Sequence, residues 1–159
     1  MRPLTRDDAA NAARFVLMAA FPPGSAPPRD ALEQPDARRW LQDWGEELGV
    51  GWDENGELRG AAWARRTEPG LVCDEATGEA LPEVIISVVG EARGAGVGRR
   101  LMEALIARAE AAGLPGLSLT VSERNPVALR LYENVGFKRH GRTGSGLVTM
   151  TWRPVRSTA

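Results

Sequence analysis

An apolar run followed by a cluster of glycines does most to limit what this chain can fold into. Residues 84–89 read Val-Ile-Ile-Ser-Val-Val, a largely β-branched run that is typical of a central strand covered on both faces. Four glycines then fall within nine residues, at positions 90, 94, 96 and 98, and an apolar pattern of helical period begins at Val97. The pattern predicts a buried strand, a glycine-rich turn and a helix start.

This arrangement predicts an anion site. The first turn of a helix presents unpaired N–H groups, and glycines let a phosphate oxygen approach the backbone without interference from a Cβ atom. Arg93, Arg99 and Arg100 add positive charge for a ligand with two or more phosphates. The alternative is a glycine-rich turn that is shaped for packing alone.

The spacing of the glycines distinguishes between classes of phosphate ligand. A mononucleotide P-loop needs Gly-Lys followed by Ser or Thr, but the single lysine, Lys138, lies far from the turn. A dinucleotide fold needs Gly-x-Gly-x-x-Gly, whereas Gly94, Gly96 and Gly98 read Gly-x-Gly-x-Gly. Glu123 does lie near the end of the next strand, where a ribose ligand is expected. A dinucleotide-binding protein therefore stays open as a weaker alternative.

The rest of the chain predicts an α/β (α+β) fold. Its 159 residues fit one domain. Strands are predicted at residues 2–4, 49–52, 58–66, 84–89, 117–121, 137–142 and 147–152. Helices are predicted at residues 7–20 and 36–48, from Val97 to a stop at Gly113, and from Pro126 to an exit at Gly136. The long acidic connection over residues 67–82 is either functional or mobile.

Composition excludes several classes of function. Basic and acidic residues number 20 and 21, so general electrostatic binding to nucleic acid is not expected. The balance conceals a split, because residues 1–92 carry a net charge of −8 and residues 93–159 a net charge of +7. The single cysteine, Cys73, cannot form an internal disulfide, and no apolar run is long enough to span a bilayer. A cytoplasmic location without membrane contact is the default expectation.

Two segments carry a family resemblance. Residues 93–98, Arg-Gly-Ala-Gly-Val-Gly, resemble the Arg/Gln-x-x-Gly-x-Gly/Ala motif of the GNAT superfamily of acetyl-CoA-dependent N-acetyltransferases. Residues 125–137, which begin Asn-Pro-Val-Ala and end Gly-Phe, resemble the family stretch Asn-x-x-Ala-x-x-x-Tyr-x-x-x-Gly-Phe. Two linked motifs are more specific than one. The strong match covers about residues 84–140.

The resemblance implies one GNAT-like domain over residues 1–159. Its mixed central sheet would be flanked by helices, and two neighbouring central strands would be splayed apart. The implied cofactor is acetyl-CoA, or coenzyme A after transfer. Backbone groups around Ile86 and Val88 would pair with its pantetheine arm. Its pyrophosphate would be held by Arg93, Gly94, Ala95, Gly96, Val97, Gly98 and Arg99.

The family also implies catalytic roles. The N–H of Val88 would polarise the thioester carbonyl as an oxyanion donor. Asn125 would contact the cofactor, although an Asn before Pro126 is also explained as a helix cap. Tyr132 would face the sulfur and protonate the departing thiolate. The alternative is that Tyr132 is a core aromatic residue.

The general base is less well defined. Some family members have a Glu on the strand five residues before the motif Asn, where this chain has Thr120. Glu83, at the start of the central strand, is the candidate that would act through a water. His140 is interpreted as a solvated strand residue, and Cys73 is given no nucleophilic role because no base is adjacent. No metal site is predicted.

The prediction is an acyltransferase that moves acetyl from acetyl-CoA to a primary amine of a small molecule or peptide, by direct attack in a ternary complex. The alternative from a different class is a non-catalytic acyl-CoA-binding module, which the missing strand glutamate favours. The resemblance implies that the acceptor pocket is shaped by Phe21, Trp40, Trp44 and residues 67–82, although the two tryptophans are also explained as core residues. The acidic first half is compatible with a cationic amine, although a solvated acidic face is the better explanation. A homodimer is left open, since family members often dimerise.

Overall fold

The computed structural model describes residues 1–21, 26–35, 38, 41, 48–66, 70–90 and 94–155, apart from the side chain of Ala10. Within these residues the strands are β1 (Arg2–Pro3), β2 (Leu48–Glu54), β3 (Glu57–Arg65), β4 (Glu83–Val88), β5 (Leu117–Val121), β6 (Lys138–Arg142) and β7 (Val148–Trp152). The helices are α1 (Ala9–Ala20), α2 (Val97–Ala111) and α3 (Pro126–Asn134), with short 3-10 turns at Arg6–Asp8 and Ala31–Glu33.

The strands form a mixed sheet in the order β1-β2-β3-β4-β5-β7-β6. Strand β4 pairs with β5 in parallel through Glu83 and Ser118. The pairings within β1–β2–β3 and within β5–β7–β6 are antiparallel. This architecture confirms the predicted α/β class. By internal contacts the chain divides into a first unit, residues 1–65 with 85–105, and a second unit, residues 66–84 with 106–159.

A tight hairpin organises the first unit. Strands β2 and β3 run antiparallel to either side of Asn55 and Gly56, whose φ angles are 53° and 79°. Two consecutive positive φ angles are those of a type I′ turn, which matches the twist of the flanking strands. Trp52 pairs with Gly60, and a register shift between Trp52 and Asp53 introduces a bulge. The predicted hairpin is confirmed; β2 is longer than predicted, and β3 begins and ends one residue earlier than predicted.

One guanidinium ties the N-terminus to the end of β2. Arg2 donates to both carboxylate oxygens of Asp8, at 2.7 and 2.9 Å, and also forms an ion pair with Asp53. Asp8 is 6% exposed, and its carboxylate accepts a further bond from the Thr5 N–H at 2.7 Å. Hydrogen bonding from Arg2 is the main reason that the pKa of Asp8 is lowered. The short strand β1 is thus held by charge as well as by pairing.

In the second unit, β7 lies between β5 and β6. Leu117, Leu119 and Met150 are at most 2% exposed and form the centre of its core. Strand β6 is the edge of the sheet, and its side chains are all exposed. Its pairing with β7 shifts register between Arg139 and Gly141, which leaves His140 as the extra residue of a β-bulge.

The described part of the connection that leads into β4 is a hydrogen-bonded turn. Leu81 donates its N–H to the carbonyl of Val72 at 2.8 Å, which closes the segment. Asp74, 6% exposed, accepts from the N–H and hydroxyl of Thr77 at 3.1 and 3.0 Å and from the Arg153 guanidinium at 2.6 Å. Arg153 is the main reason that the pKa of Asp74 is lowered. Whether the connection over residues 67–82 is functional or mobile stays open.

One predicted helix boundary is wrong. Residues 36–48 are predicted as helical, but Leu48 begins strand β2, where it pairs with Ala64. Trp40 and Trp44, both candidates for the acceptor pocket, lie outside the described residues. No helix of the described residues is both long and apolar enough to cross a membrane.

Candidate functional site

The glycine cluster forms a turn whose backbone is open to solvent. Gly94 and Gly96 have φ angles of 83° and 78°, and both they and Ala95 are exposed. A Cβ atom added at either glycine would have no heavy atom within 4 Å. Glycine is therefore required here by the left-handed backbone rather than by crowding from neighbours. The open space is what a ligand that contacts the backbone needs.

Helix α2 begins directly after this turn. The N–H of Arg100 donates to the carbonyl of Gly96 at 3.2 Å, closing the first helical turn. The preceding N–H groups, of Val97, Gly98 and Arg99, have no acceptor within the helix. Val97 is 4% exposed and Leu101 is fully buried, so the start of the helix is packed into the core. The turn and helix start fit a phosphate group.

The three arginines predicted to assist differ in their surroundings. The Arg99 guanidinium forms an ion pair with Glu103 at 2.9 Å. The Arg100 guanidinium lies over the indole of Trp52, 5.5 Å from the ring centroid, which is within the range of a cation–π contact. Arg93 lies outside the described residues. Among the described groups, the backbone N–H donors at the start of α2 are therefore the ones best placed for a phosphate, and binding there stays a prediction.

The backbone N–H groups of strand β4 point alternately toward β3 and away from it. Val89 donates its N–H to the carbonyl of Arg59 at 2.9 Å. Because the direction of the N–H group alternates along a strand, the N–H of Ser87 has the same direction as that of Val89, toward β3. The N–H groups of Ile86 and Val88 point the other way, and both side chains are half-buried. This is the orientation that the predicted pairing with a pantetheine arm requires.

Asn125 caps helix α3 in the second unit. Its Oδ1 accepts from the N–H of Ala128 at 3.2 Å, and its own N–H donates to the carbonyl of Ser122 at 3.0 Å. Pro126 follows at the first helical position. The capping role is confirmed. The side chain is exposed and the cap uses its oxygen, so its NH₂ group is directed elsewhere and contact with a cofactor stays a prediction.

Tyr132 is buried in the second unit. Its ring lies against that of Phe137, and it is 9% exposed. Burial raises the pKa of Tyr132 to about 12, because the anionic form would be poorly solvated. The hydroxyl is therefore protonated at neutral pH. Among the described residues it has no hydrogen-bond partner, which leaves its proton available for donation.

The residues considered as general base or nucleophile lie at different places in the structure. Glu83 is the first residue of β4 and is half-buried. Thr120, at the position where some family members have Glu, pairs with Thr149 and offers no carboxylate. His140 is exposed in the bulge of β6, as its interpretation as a solvated residue predicts. Cys73 is exposed.

Glu123 belongs to a surface ion-pair network. Its carboxylate contacts Arg142, which is the main reason that its pKa is lowered, and it lies 3.5 Å from Arg139. Arg139 in turn lies 3.6 Å from Glu133 of α3. The carboxylate that the dinucleotide alternative would use for ribose is thus already engaged by two arginines. The network ties the β5–α3 turn to β6.

The predicted site residues fall into two groups. Ile86 and Val88 lie in the first unit with the described part of the glycine turn, residues 94–99. Glu83, Asn125 and Tyr132 lie in the second unit. Trp52 was missed by the sequence reasoning, since nothing along the chain links it to Arg100. The one sequence feature that could have indicated Trp52 was its position in the predicted hairpin, where it pairs with Gly60.

The chain is similar to known acetyltransferases. The model of the Acetyltransferase (GNAT) family matches residues 14–137. A mycothiol acetyltransferase of Geodermatophilus obscurus is 32% identical over 120 residues, which cover 74% of this chain and 36% of that protein. One of Brachybacterium faecium is 36% identical over 124 residues, covering 78% and 35%. The chain thus spans about a third of the length of these relatives.

Solved structures share the fold. The protein yncA from Salmonella typhimurium, determined with acetyl-CoA as its cofactor, matches with a TM-score of 0.71 at 19% identity, over 99% of this chain and 95% of that one. A ribosomal-protein-alanine N-acetyltransferase from Brucella melitensis matches with a TM-score of 0.74 at 19% identity, over 96% and 98%.

Proposed function

Because the chain belongs to the Acetyltransferase (GNAT) family, we propose that it transfers the acetyl group of acetyl-CoA to a primary amine of a small molecule or peptide. The transfer is by direct attack in a ternary complex. The observation that carries this proposal is the turn at Gly94 and Gly96, whose left-handed, uncrowded backbone precedes the N-terminus of α2. That geometry suits a pyrophosphate.

Backbone groups do most of the binding. The N–H groups from Gly94 to Arg99 hold the pyrophosphate, with Arg93 adding charge. Around Ile86 and Val88, the backbone pairs with the pantetheine arm. When bound, acetyl-CoA supplies a thioester carbonyl that an amine can attack. The N–H of Val88, which points away from β3, stabilises the charge that develops on that carbonyl oxygen.

Two protons must move during transfer. The attacking nitrogen loses one as the C–N bond forms, and the sulfur gains one as the C–S bond breaks. Tyr132 supplies the proton to sulfur, supported by its protonated hydroxyl, which no described residue bonds. Glu83 accepts the proton from nitrogen through a water. Asn125 orients the cofactor through its amide while its oxygen caps α3.

A non-catalytic acyl-CoA-binding module is the second candidate. The presence of Thr120 where some family members have a strand glutamate favours it. This candidate predicts coenzyme A binding of normal strength without transfer to any acceptor. The dinucleotide alternative is weaker, because Glu123 is held by Arg142 and Arg139.

A thiol-release assay separates these candidates. Acetyl-CoA is mixed with the protein and with polyamines, aminoglycosides, amino acids and peptides in turn. The amine whose acetylation yields mycothiol is included because two relatives bear the name mycothiol acetyltransferase. Release of coenzyme A with one acceptor supports the enzyme. Silence across the whole panel favours the binding module.

A melting experiment tests the cofactor. A ligand at a hundred times its dissociation constant adds about 2.7 kcal/mol to the free energy of unfolding. Coenzyme A is expected to raise the melting temperature by several degrees, and NADH and NADPH are expected to leave it unchanged. A shift with NADPH and none with coenzyme A would contradict the proposed function.

Three wider proposals accompany this function. Residues 1–159 form one acetyltransferase domain, supported by β4 and α2, each of which has residues in both units. The compartment is the cytoplasm, supported by the single cysteine. The partners are acetyl-CoA and the amine, without nucleic acid or membrane, and sedimentation tests whether the protein is a homodimer.

A further inference from the structure

Trp52 contacts the helix that begins at the glycine turn. Its indole is half-buried, and the exposed Arg100 guanidinium lies 5.5 Å from the centroid of the ring. Arg100 is also the residue whose N–H closes the first turn of α2 onto the carbonyl of Gly96. One residue therefore joins the start of the helix, through its backbone, to the hairpin, through its side chain.

The position of Trp52 is fixed from within the hairpin. It pairs with Gly60 of β3, and the bulge directly after it ends the regular register of β2. Bulges turn the strand and so re-aim the adjacent side chain. Asp53, on the other side of the bulge, is held by Arg2, which is in turn held by the buried Asp8. The indole is thus presented by a restrained piece of backbone.

Gly60 brings the helix close to this backbone. A Cβ atom at Gly60 would lie 3.1 Å from Cδ1 of Leu101 and 3.5 Å from Cγ2 of Val88. The absence of that atom lets Leu101, the neighbour of Arg100, pack directly on the sheet. The first turn of α2 is consequently anchored at two adjacent residues, by packing at Leu101 and by the cation–π contact at Arg100.

We propose that Trp52 is a positioning residue for the phosphate-binding turn. By holding the Arg100 guanidinium, it fixes the direction in which the N–H groups at the start of α2 point. It also keeps one positive charge beside that turn, since stacking on a ring face leaves the N–H edge of a guanidinium free to donate. This inference rests on the proposed function, because the group to be positioned is the pyrophosphate of coenzyme A.

Amide hydrogen exchange of the ligand-free protein tests the anchoring. In W52L and R100Q, the amide of residue 100 and that of Leu101 are expected to exchange roughly 3- to 10-fold faster, in line with the strength of a cation–π contact. The amides in the last turn of α2 are expected to be unchanged. R100Q changes an exposed side chain, so it remains informative if W52L folds poorly. Unchanged exchange at both amides would overturn the proposal.

Binding of coenzyme A and of pantetheine tests the consequence. W52L and R100Q are expected to raise the dissociation constant for coenzyme A roughly 3- to 10-fold and to leave that for pantetheine, which lacks the phosphates, unchanged. W52F, which retains an aromatic face, is expected to restore most of the affinity. R108Q, which removes an arginine from the other end of α2, is the control and is expected to bind as the wild type does.

Equal weakening for both ligands would indicate a merely structural role and would overturn the inference, as would unchanged binding of coenzyme A. Both results presuppose a wild type that binds coenzyme A. A wild type that binds none would instead contradict the proposed function itself.

Discussion

The ring of Tyr132 packs against the ring of Phe137, with centroids 6.1 Å apart and planes inclined by 58°. The N–H of Phe137 also donates to the carbonyl of Tyr132 at 2.9 Å, closing the exit from α3. Neither contact uses the phenolic hydroxyl. The ring is therefore held by packing alone, and the hydroxyl can be removed without disturbing what positions it.

Tyr132→Phe is expected to lower turnover roughly 100-fold, the usual range for loss of a general acid. The melting temperature and the dissociation constant for coenzyme A are expected to stay close to those of the wild type, because the ring packing is kept. Steady-state kinetics, calorimetry and a thermal melt measure these quantities. Unchanged turnover would remove Tyr132 from the mechanism.

The pH dependence of turnover gives a second test of the same residue. Its pKa is raised to about 12, and the protonated form is the one that donates. Tyr132 is therefore expected to cause no loss of activity between pH 7 and 10. The free energy of unfolding is expected to depend on pH in the same direction. The folded state keeps the phenol neutral, so this contribution to stability is fully present below pH 10 and is lost as pH rises through about 12. An alkaline limb near pH 10 that disappears in Tyr132→Phe would contradict this expectation.

Gly96→Ala is expected to weaken coenzyme A binding more than tenfold by placing a Cβ atom where the backbone meets the phosphate. Gly78→Ala is the matched control, because Gly78 has a φ of 74°, close to the 78° of Gly96, and equally open surroundings. Both variants are expected to lose about 1 kcal/mol of stability from the left-handed backbone. Thermal melts measure the loss of stability that both variants share, and calorimetric titration measures the loss of coenzyme A affinity that is expected for Gly96→Ala alone. Equal affinities in the two variants would mean that the turn does not bind the cofactor.

Asp74→Asn is expected to destabilise the protein at pH 7 by removing the charge that Arg153 pairs with. Arg153 lowers the pKa of Asp74, so this stabilisation is present above the unfolded pKa near 4 and is lost as pH falls through the folded value. The difference in melting temperature between variant and wild type is therefore expected to shrink between pH 5 and pH 3. A difference that is constant with pH would exclude the ion pair as its cause.

Glu103→Gln is expected to tighten coenzyme A binding about twofold at low ionic strength. The substitution releases Arg99 from its ion pair and removes a negative charge from the first turns of α2. Glu110→Gln, in the last turns of the same helix, is the control and is expected to change nothing. Loss of the difference at high salt would support the electrostatic origin, and weaker binding by Glu103→Gln would contradict it.

Local signals in the sequence predicted much of the fold. Asn55-Gly56 gave the hairpin because few residue pairs tolerate two positive φ angles. Gly113 and Gly136 marked the ends of their helices for the same reason, with φ angles of 70° and 107°. The glycine turn was found because its requirement is local to the backbone. Each of these features is decided by residues that are adjacent in the chain.

Features that depend on distant residues were not predicted. The ion pair between Asp74 and Arg153 joins positions 79 residues apart, and it links the turn before β4 to the residue after β7. The stacking of Arg100 on Trp52 likewise depends on a register that only the folded hairpin defines. Periodicity also misplaced Leu48, because an apolar residue at the end of a helical pattern equally starts a strand.

The bulge at His140 bears on how copies of this protein associate. An outermost strand with regular geometry offers a row of backbone groups to which another chain can bond. Here that row is interrupted at His140, within a strand whose side chains are all exposed. Two such strands could not align their backbones in one regular ladder. A dimer of this protein is therefore expected to form through a surface other than β6, and fibrous self-assembly through this strand is disfavoured.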